Sequence, residues 1–184
     1  MTPLLIILGI VAVIALYFIA VYNGLIKQKN RVENGFSQID VQLQRRYDLI
    51  PNLVETVKGY AAHEKETLEM VIKARNAGMN AGSVGEKADA DNMMTGALKT
   101  LFALSEAYPD LKANQNFKEL QLELTSTENK ISFSRQFYND TVASFNTAIQ
   151  VFPKNIIAGM LGFKAFEFFK TDNAEARQRV DVKF

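Results

Sequence analysis

Side chains able to do chemistry are sparse in this 184-residue chain. It holds a single histidine, His63, and no cysteine. His63 lies in the run His63-Glu64-Lys65-Glu66-Thr67, without the second histidine that a zinc-protease helix needs. A di-iron helical bundle takes a Glu-x-x-His pair from each of two helices, which one histidine cannot supply. Without cysteine there is no thiol nucleophile and no thiolate for a cluster or haem. The run Gly82-Ser83-Val84-Gly85-Glu86-Lys87 resembles a phosphate loop only superficially, because no strand precedes it and the spacing is wrong. Glu64, Glu66, Glu69, Glu119 and Glu123 fall at helical spacing among lysines and read as a solvated, ion-paired face. An acid pair among Glu55, Glu64, Glu123 and Glu128 is the remaining route to catalysis. The expectation is a non-enzyme, with no catalytic residue, cofactor, metal or small-molecule substrate assigned.

Two clusters stand out from that background. One is Arg45, Arg46, Tyr47 and Asp48 with Asn52; the other is Arg135, Tyr138, Asn139 and Asp140. Arg46 occupies a step of an otherwise apolar stripe. A buried arginine is expensive unless a carboxylate pairs with it, and Asp140 or Glu128 on a facing helix are the expected partners. Such a pair would set helix register; the alternative is a docking surface for a partner.

Long helices must carry these clusters. Alternating steps of four and three from Val32 to Val71 meet nine apolar residues in twelve. The same steps from Phe117 to Phe152 meet eight in eleven. Those are bundle faces. Pro51 lacks a backbone donor and predicts a kink or break near Tyr47–Pro51. Residues 76–92 are small and polar and read as a flexible turn. A short helix follows at about 92–107, then Tyr108-Pro109 as punctuation, then a second long helix over about 111–151. The fold expected is all-α: an N-terminal transmembrane helix, then a bundle of long antiparallel helices with short connecting helices.

The anchor is the clearest element. No side chain before Lys27 is charged, and Leu4 to Val21 hold thirteen Leu, Ile, Val or Phe residues. About 20 helical residues cross the ~30 Å hydrocarbon core of a bilayer. Thirteen such residues favour insertion by roughly 4–8 kcal/mol. A cleaved signal peptide would begin with basic residues and end at a small-x-small site, and Val21-Tyr22-Asn23 is a poor one. Lys27, Lys29 and Arg31 follow the span, so the positive-inside bias places the N-terminus outside and the C-terminal side in the cytoplasm. The domains expected are 1–26 as anchor and 27–184 as a cytoplasmic helical bundle, with 170–184 as a polar tail. The net charge of +1 argues against a nucleic-acid surface.

The segment 156–169 is strongly apolar. It reads as a cap on one end of the bundle; the alternative is an interfacial or partner-binding segment. Phe163, Phe166 and Phe169 recur at spacing three and are candidates for self-association on a helical face, making a homo-oligomer an open expectation. Val180 to Phe184 alternate and would add to a sheet edge or dangle.

The stretches IDVQLQRRYDLIPNLVETVKGYAAHEKETLEMVIKAR and LSEAYPDLKANQNFKELQLELTSTENKISFSRQFYNDTVASFNTAIQVFP resemble the bacterial LemA family. The resemblance covers nearly everything from Tyr22 onward. It implies an N-terminally membrane-anchored protein with a long-helix cytoplasmic domain, and it supplies no reaction. Phe36 stands where many members carry tryptophan. The function expected is a non-catalytic, membrane-anchored scaffold or adaptor of the bacterial inner membrane, with the lipid bilayer and other membrane proteins as partners. A signalling or sensing module bending at Pro51, with an input at the 78–85 turn, is the alternative reading; a membrane-bound enzyme is a remote one.

Overall fold

The computed structural model describes residues 2–170, and among them every regular element is a helix. They are α1 (Thr2–Lys58), α2 (Lys65–Asn80), α3 (Val84–Ser105), α4 (Pro109–Ala113), α5 (Gln115–Ala148) and α6 (Lys154–Met160). The alternating Val180–Phe184 stretch lies outside the described residues, as does nearly all of the polar tail. Two compact units form, one from residues 2–39 and 133–168, the other from 40–132 with Phe169. Helices α1 and α5 contribute to both.

In the second unit four helical segments alternate in direction. Tyr60 near the end of α1 meets Asn114 at the start of α5, while Arg45 meets Glu123 further along, so α1 and α5 run antiparallel. Asp40 pairs with Lys87 and Arg46 with Asp91, so α3 runs parallel to α1. The α2–α3 hairpin completes an up-down-up-down arrangement, which short connections favour. The predicted stripes supply its core: Leu43, Ile50, Leu53 and Val57 are buried, as are Phe117, Leu124, Thr127 and Ile131.

Three sequence-based expectations need correction here. First, α1 passes through Pro51 without a break. The chain breaks instead at residues 59–64, so the apolar period from Val32 to Val71 spans two helices. Second, 76–92 is not a flexible turn. Helix α2 runs to Asn80, α3 starts at Val84, and only residues 81–83 intervene. Ser83 caps α3 by accepting from the Glu86 amide at 3.1 Å, and the Glu86 carboxylate accepts from the Ser83 amide at 3.0 Å. This reciprocal capping box satisfies donors that a helix start leaves open. Alanines in the stretch that read as a turn are packing residues: Ala88 and Ala90 are buried on α3. Third, α5 ends at Ala148, so Phe152 falls outside it and is 78% exposed.

The first unit pairs the N-terminal part of α1 with the C-terminal part of α5, again antiparallel. Phe36 packs on Tyr138 with ring centroids 5.8 Å apart, and Val21 and Leu25 cluster with Ala148, Ile157 and Ala158. From Leu4 to Ile19 the large apolar side chains of α1 are exposed, except Phe18, which is half-buried against the Val21 and Leu25 cluster. Among the described residues nothing covers those exposed side chains, and the helix is long and apolar enough to cross a membrane.

Candidate functional site

Arg46 is the centre of the second unit. The stripe carries it inward on α1, where it is 2% exposed. One guanidinium nitrogen lies 2.7 Å from Asp91 Oδ1 and 2.9 Å from Glu128 Oε2; the other donates to Thr95 Oγ1 at 3.0 Å. One charge on α1 thus engages both α3 and α5. Burying an arginine is tolerable only with such pairing, and two carboxylates answer it here. Glu128 is the partner that helix spacing predicts. Asp140 is not: it belongs to the first unit, beside a recess with Gln28 and Arg31. Asp91, fully buried, is the partner that sequence reasoning misses, because it lies in the stretch read as a turn.

Pro51 has an unexpected role beside this cluster. In a helix the amide of residue 51 would donate to the carbonyl of Tyr47. Proline has no such donor. Arg75 of α2 supplies one instead, with its Nε donating to the Tyr47 carbonyl at 3.0 Å. The proline exposes an acceptor, and the neighbouring helix docks on it. Gly78 lets α2 approach: any Cβ there would run into the Tyr47 ring and hydroxyl. The Tyr47 hydroxyl is buried with no hydrogen-bond partner. Burial, reinforced by the nearby Asp91 carboxylate, pushes its pKa up to about 12.

The remaining predicted residues are spread across both units. Arg45 pairs with Glu123, and Asp48 accepts from Gln44 Nε2 at 2.8 Å. Asn52 lines a groove of about 600 Å³ together with Glu55, Glu119, Leu120 and Glu123. Of the four carboxylates considered for acid–base work, Glu55 meets Lys58, Glu64 accepts from Tyr108, and Glu123 and Glu128 meet arginines. Tyr108 is held protonated by that bond to Glu64, which raises its pKa. His63 is exposed in the turn after α1. Among the described residues no three His, Cys, Asp or Glu side chains gather as a metal-binding set.

In the second cluster Tyr138 has a structural role. Tyr138 is buried and donates to the Glu167 carbonyl at 2.8 Å. Arg135, Asn139 and Asp140 lie along the same stretch of α5. Asn146 grips the backbone of Phe166 through both amide atoms, each at 2.9 Å. Phe163 and Phe166 pack edge-on against Phe145 of α5, at 6.1 and 5.2 Å between centroids. The helical face expected for Phe163, Phe166 and Phe169 does not exist, because α6 ends at Met160 and the rest is irregular. Phe163 and Phe166 turn onto their own chain, and Phe169 is buried.

These features define a class: a helical-bundle protein with paired buried charges and an exposed N-terminal apolar helix. The chain belongs to the LemA family, whose model matches residues 35–184. It is similar to Protein LemA of Metamycoplasma hominis, 30% identical over 172 residues covering 90% of this chain and 76% of that one. It is also similar to Magnetosome protein MamQ 2 of Paramagnetospirillum magneticum, 26% identical, covering 89% and 70%. Magnetosome protein MamQ of Magnetospirillum gryphiswaldense is 27% identical, covering 80% of this chain and 64% of that protein.

Proposed function

We propose that this protein is a non-catalytic scaffold or adaptor anchored in the bacterial inner membrane by residues 1–26, with its N-terminus outside and residues 27–184 in the cytoplasm. The observation that carries the reading is the contrast along α1. From Leu4 to Leu16 it exposes large apolar side chains that a bilayer would satisfy, whereas its later turns are the spine of a bundle with paired buried charge. Lys27, Lys29 and Arg31 support the orientation. The groove bearing Glu55, Glu119 and Glu123 is the surface best suited to a basic partner segment.

The absence of cysteine makes the topology directly testable. Leu122→Cys and Ile10→Cys, exposed at 71% and 55%, report on bundle and span. In spheroplasts, a membrane-impermeant maleimide is expected to label Leu122→Cys only after lysis. Labelling of that position in intact spheroplasts would reverse the orientation. A specific hydrolase or transferase activity of the purified protein, abolished by a point change, would overturn the non-catalytic reading.

A further inference from the structure

The end of the first unit nearest the apolar run carries a second uncovered surface. Helix α6 is apolar on two sides. Ile157 and Ala158 face inward and cluster with Val21, Leu25 and Ala148. Ile156 and Met160, one turn apart, face outward at 54% and 73% exposure, and the adjoining Phe152 is 78% exposed. A helix with apolar residues on both sides calls for a second apolar environment. Among the described residues nothing provides one at these positions.

The depth of α6 along α1 identifies the environment. About 20 helical residues fill the hydrocarbon core, so a span beginning near Leu4 ends near Asn23. Val21 and Leu25, the residues on which α6 packs, straddle that point. Lys154 at the start of α6 borders a recess with Ala20 and Gly24. Lys154 and Lys164 are exposed, as is Lys27, the first charge after the span. Apolar side chains at the boundary and lysines beside it match the two layers of a bilayer surface, acyl chains and anionic headgroups.

We propose that Phe152, Ile156 and Met160 insert into the bilayer interface, so that α6 is a membrane-docking element separate from the transmembrane anchor. Its inner face holds the anchor's last turn, and its outer face lies in lipid. Docking at two places fixes the tilt of α1 where it leaves the membrane, which a single span alone leaves free. The segment 161–168 is fastened to α5 through Asn146 and Tyr138, so α6 is held at a fixed height along the first unit's part of α5. The proposal rests on α1 crossing the membrane.

The chain has no tryptophan, so single tryptophans are clean depth probes. Phe152→Trp and Met160→Trp keep the apolar character and sit where no packing is disturbed. Ile10→Trp reports on the span, and Leu122→Trp on the aqueous domain. The full chain is reconstituted in phosphatidylcholine–phosphatidylglycerol vesicles carrying brominated acyl chains. Phe152→Trp and Met160→Trp are expected to emit blue-shifted from Leu122→Trp. They should be quenched most by bromines near the headgroup, and Ile10→Trp by bromines deep in the chain. Quenching of Ile10→Trp with none at positions 152 and 160 would overturn the docking while leaving the span intact. Shielding of 152 and 160 from both bromolipid and iodide would place another protein surface there and overturn it as well. Failure to quench Ile10→Trp would instead remove the span on which the proposal rests.

Discussion

Replacing Pro51 with alanine should change how much Arg75 matters. In the native chain the Tyr47 carbonyl takes its hydrogen bond from Arg75 Nε at 3.0 Å, because Pro51 has no amide to offer. A hydrogen bond to a charged donor contributes about 1.5–3 kcal/mol, and this one is partly buried. Arg75→Ala should therefore lose about 2 kcal/mol, leaving the carbonyl unsatisfied. In a Pro51→Ala background the new amide at position 51 closes the helix bond to Tyr47. There Arg75→Ala should lose under about 1 kcal/mol, the packing of its stem alone. The coupling expected from the double-mutant cycle is about 1–2 kcal/mol. For a chain of this size each kcal/mol moves Tm by about 2–4 °C. Thermal unfolding of the full chain in detergent, followed by far-ultraviolet circular dichroism, measures all four corners. If Arg75→Ala lowers Tm equally in both backgrounds, the proline does not create the docking acceptor and the account is wrong.

Asp91→Ala should destabilise by roughly 3–5 kcal/mol, since it leaves Arg46 buried with one carboxylate fewer. Adding Arg46→Met to Asp91→Leu should recover most of that loss, and a double variant as unstable as Asp91→Ala would refute it. Tyr47→Phe removes a buried hydroxyl without a partner and should hold or raise Tm. Because the Tyr47 pKa is raised to about 12, the native chain should lose stability as pH climbs from 10 toward 12, and Tyr47→Phe should lose less over that window. Gly78→Ala should be strongly destabilising through collision with the Tyr47 ring, and hydrogen exchange should localise the damage to α1 and α2. The Gly82 amide, then the Ser83 amide and hydroxyl, hold the Glu86 carboxyl below its ordinary 4.5, so the cap stabilises α3 above that pH and is lost as pH falls through the depressed value. Glu86→Gln should flatten this acid limb in exchange rates at the start of α3.

Which parts of this protein the amino-acid order dictates, and which needed the fold, divides along a physical line. The apolar run before Lys27 and the 3.6-residue stripes are properties of a helix on its own axis. The all-α class, the two long helices and the inward position of Arg46 could therefore be read directly. Glu128 could be named as a partner by the same geometry. The family resemblance rests on the same long motifs. Residues 76–92 read as a turn when small residues are weighed as flexible, yet alanine is the best helix former and Ser83-Val84-Gly85-Glu86 carries a capping-box signature. Losing α3's first turns meant losing Asp91. The break at 59–64 was hidden because the apolar period happens to continue across it. Other features exist only between helices. No periodicity foretells that Arg75 will answer the carbonyl freed by Pro51, or that Gly78 must be bare to admit Tyr47. Nor does spacing show that Phe163 and Phe166 turn onto Phe145 while Phe152 and Met160 remain outside. Those outcomes depend on how neighbouring surfaces meet, and a single helix's pattern records only its own faces.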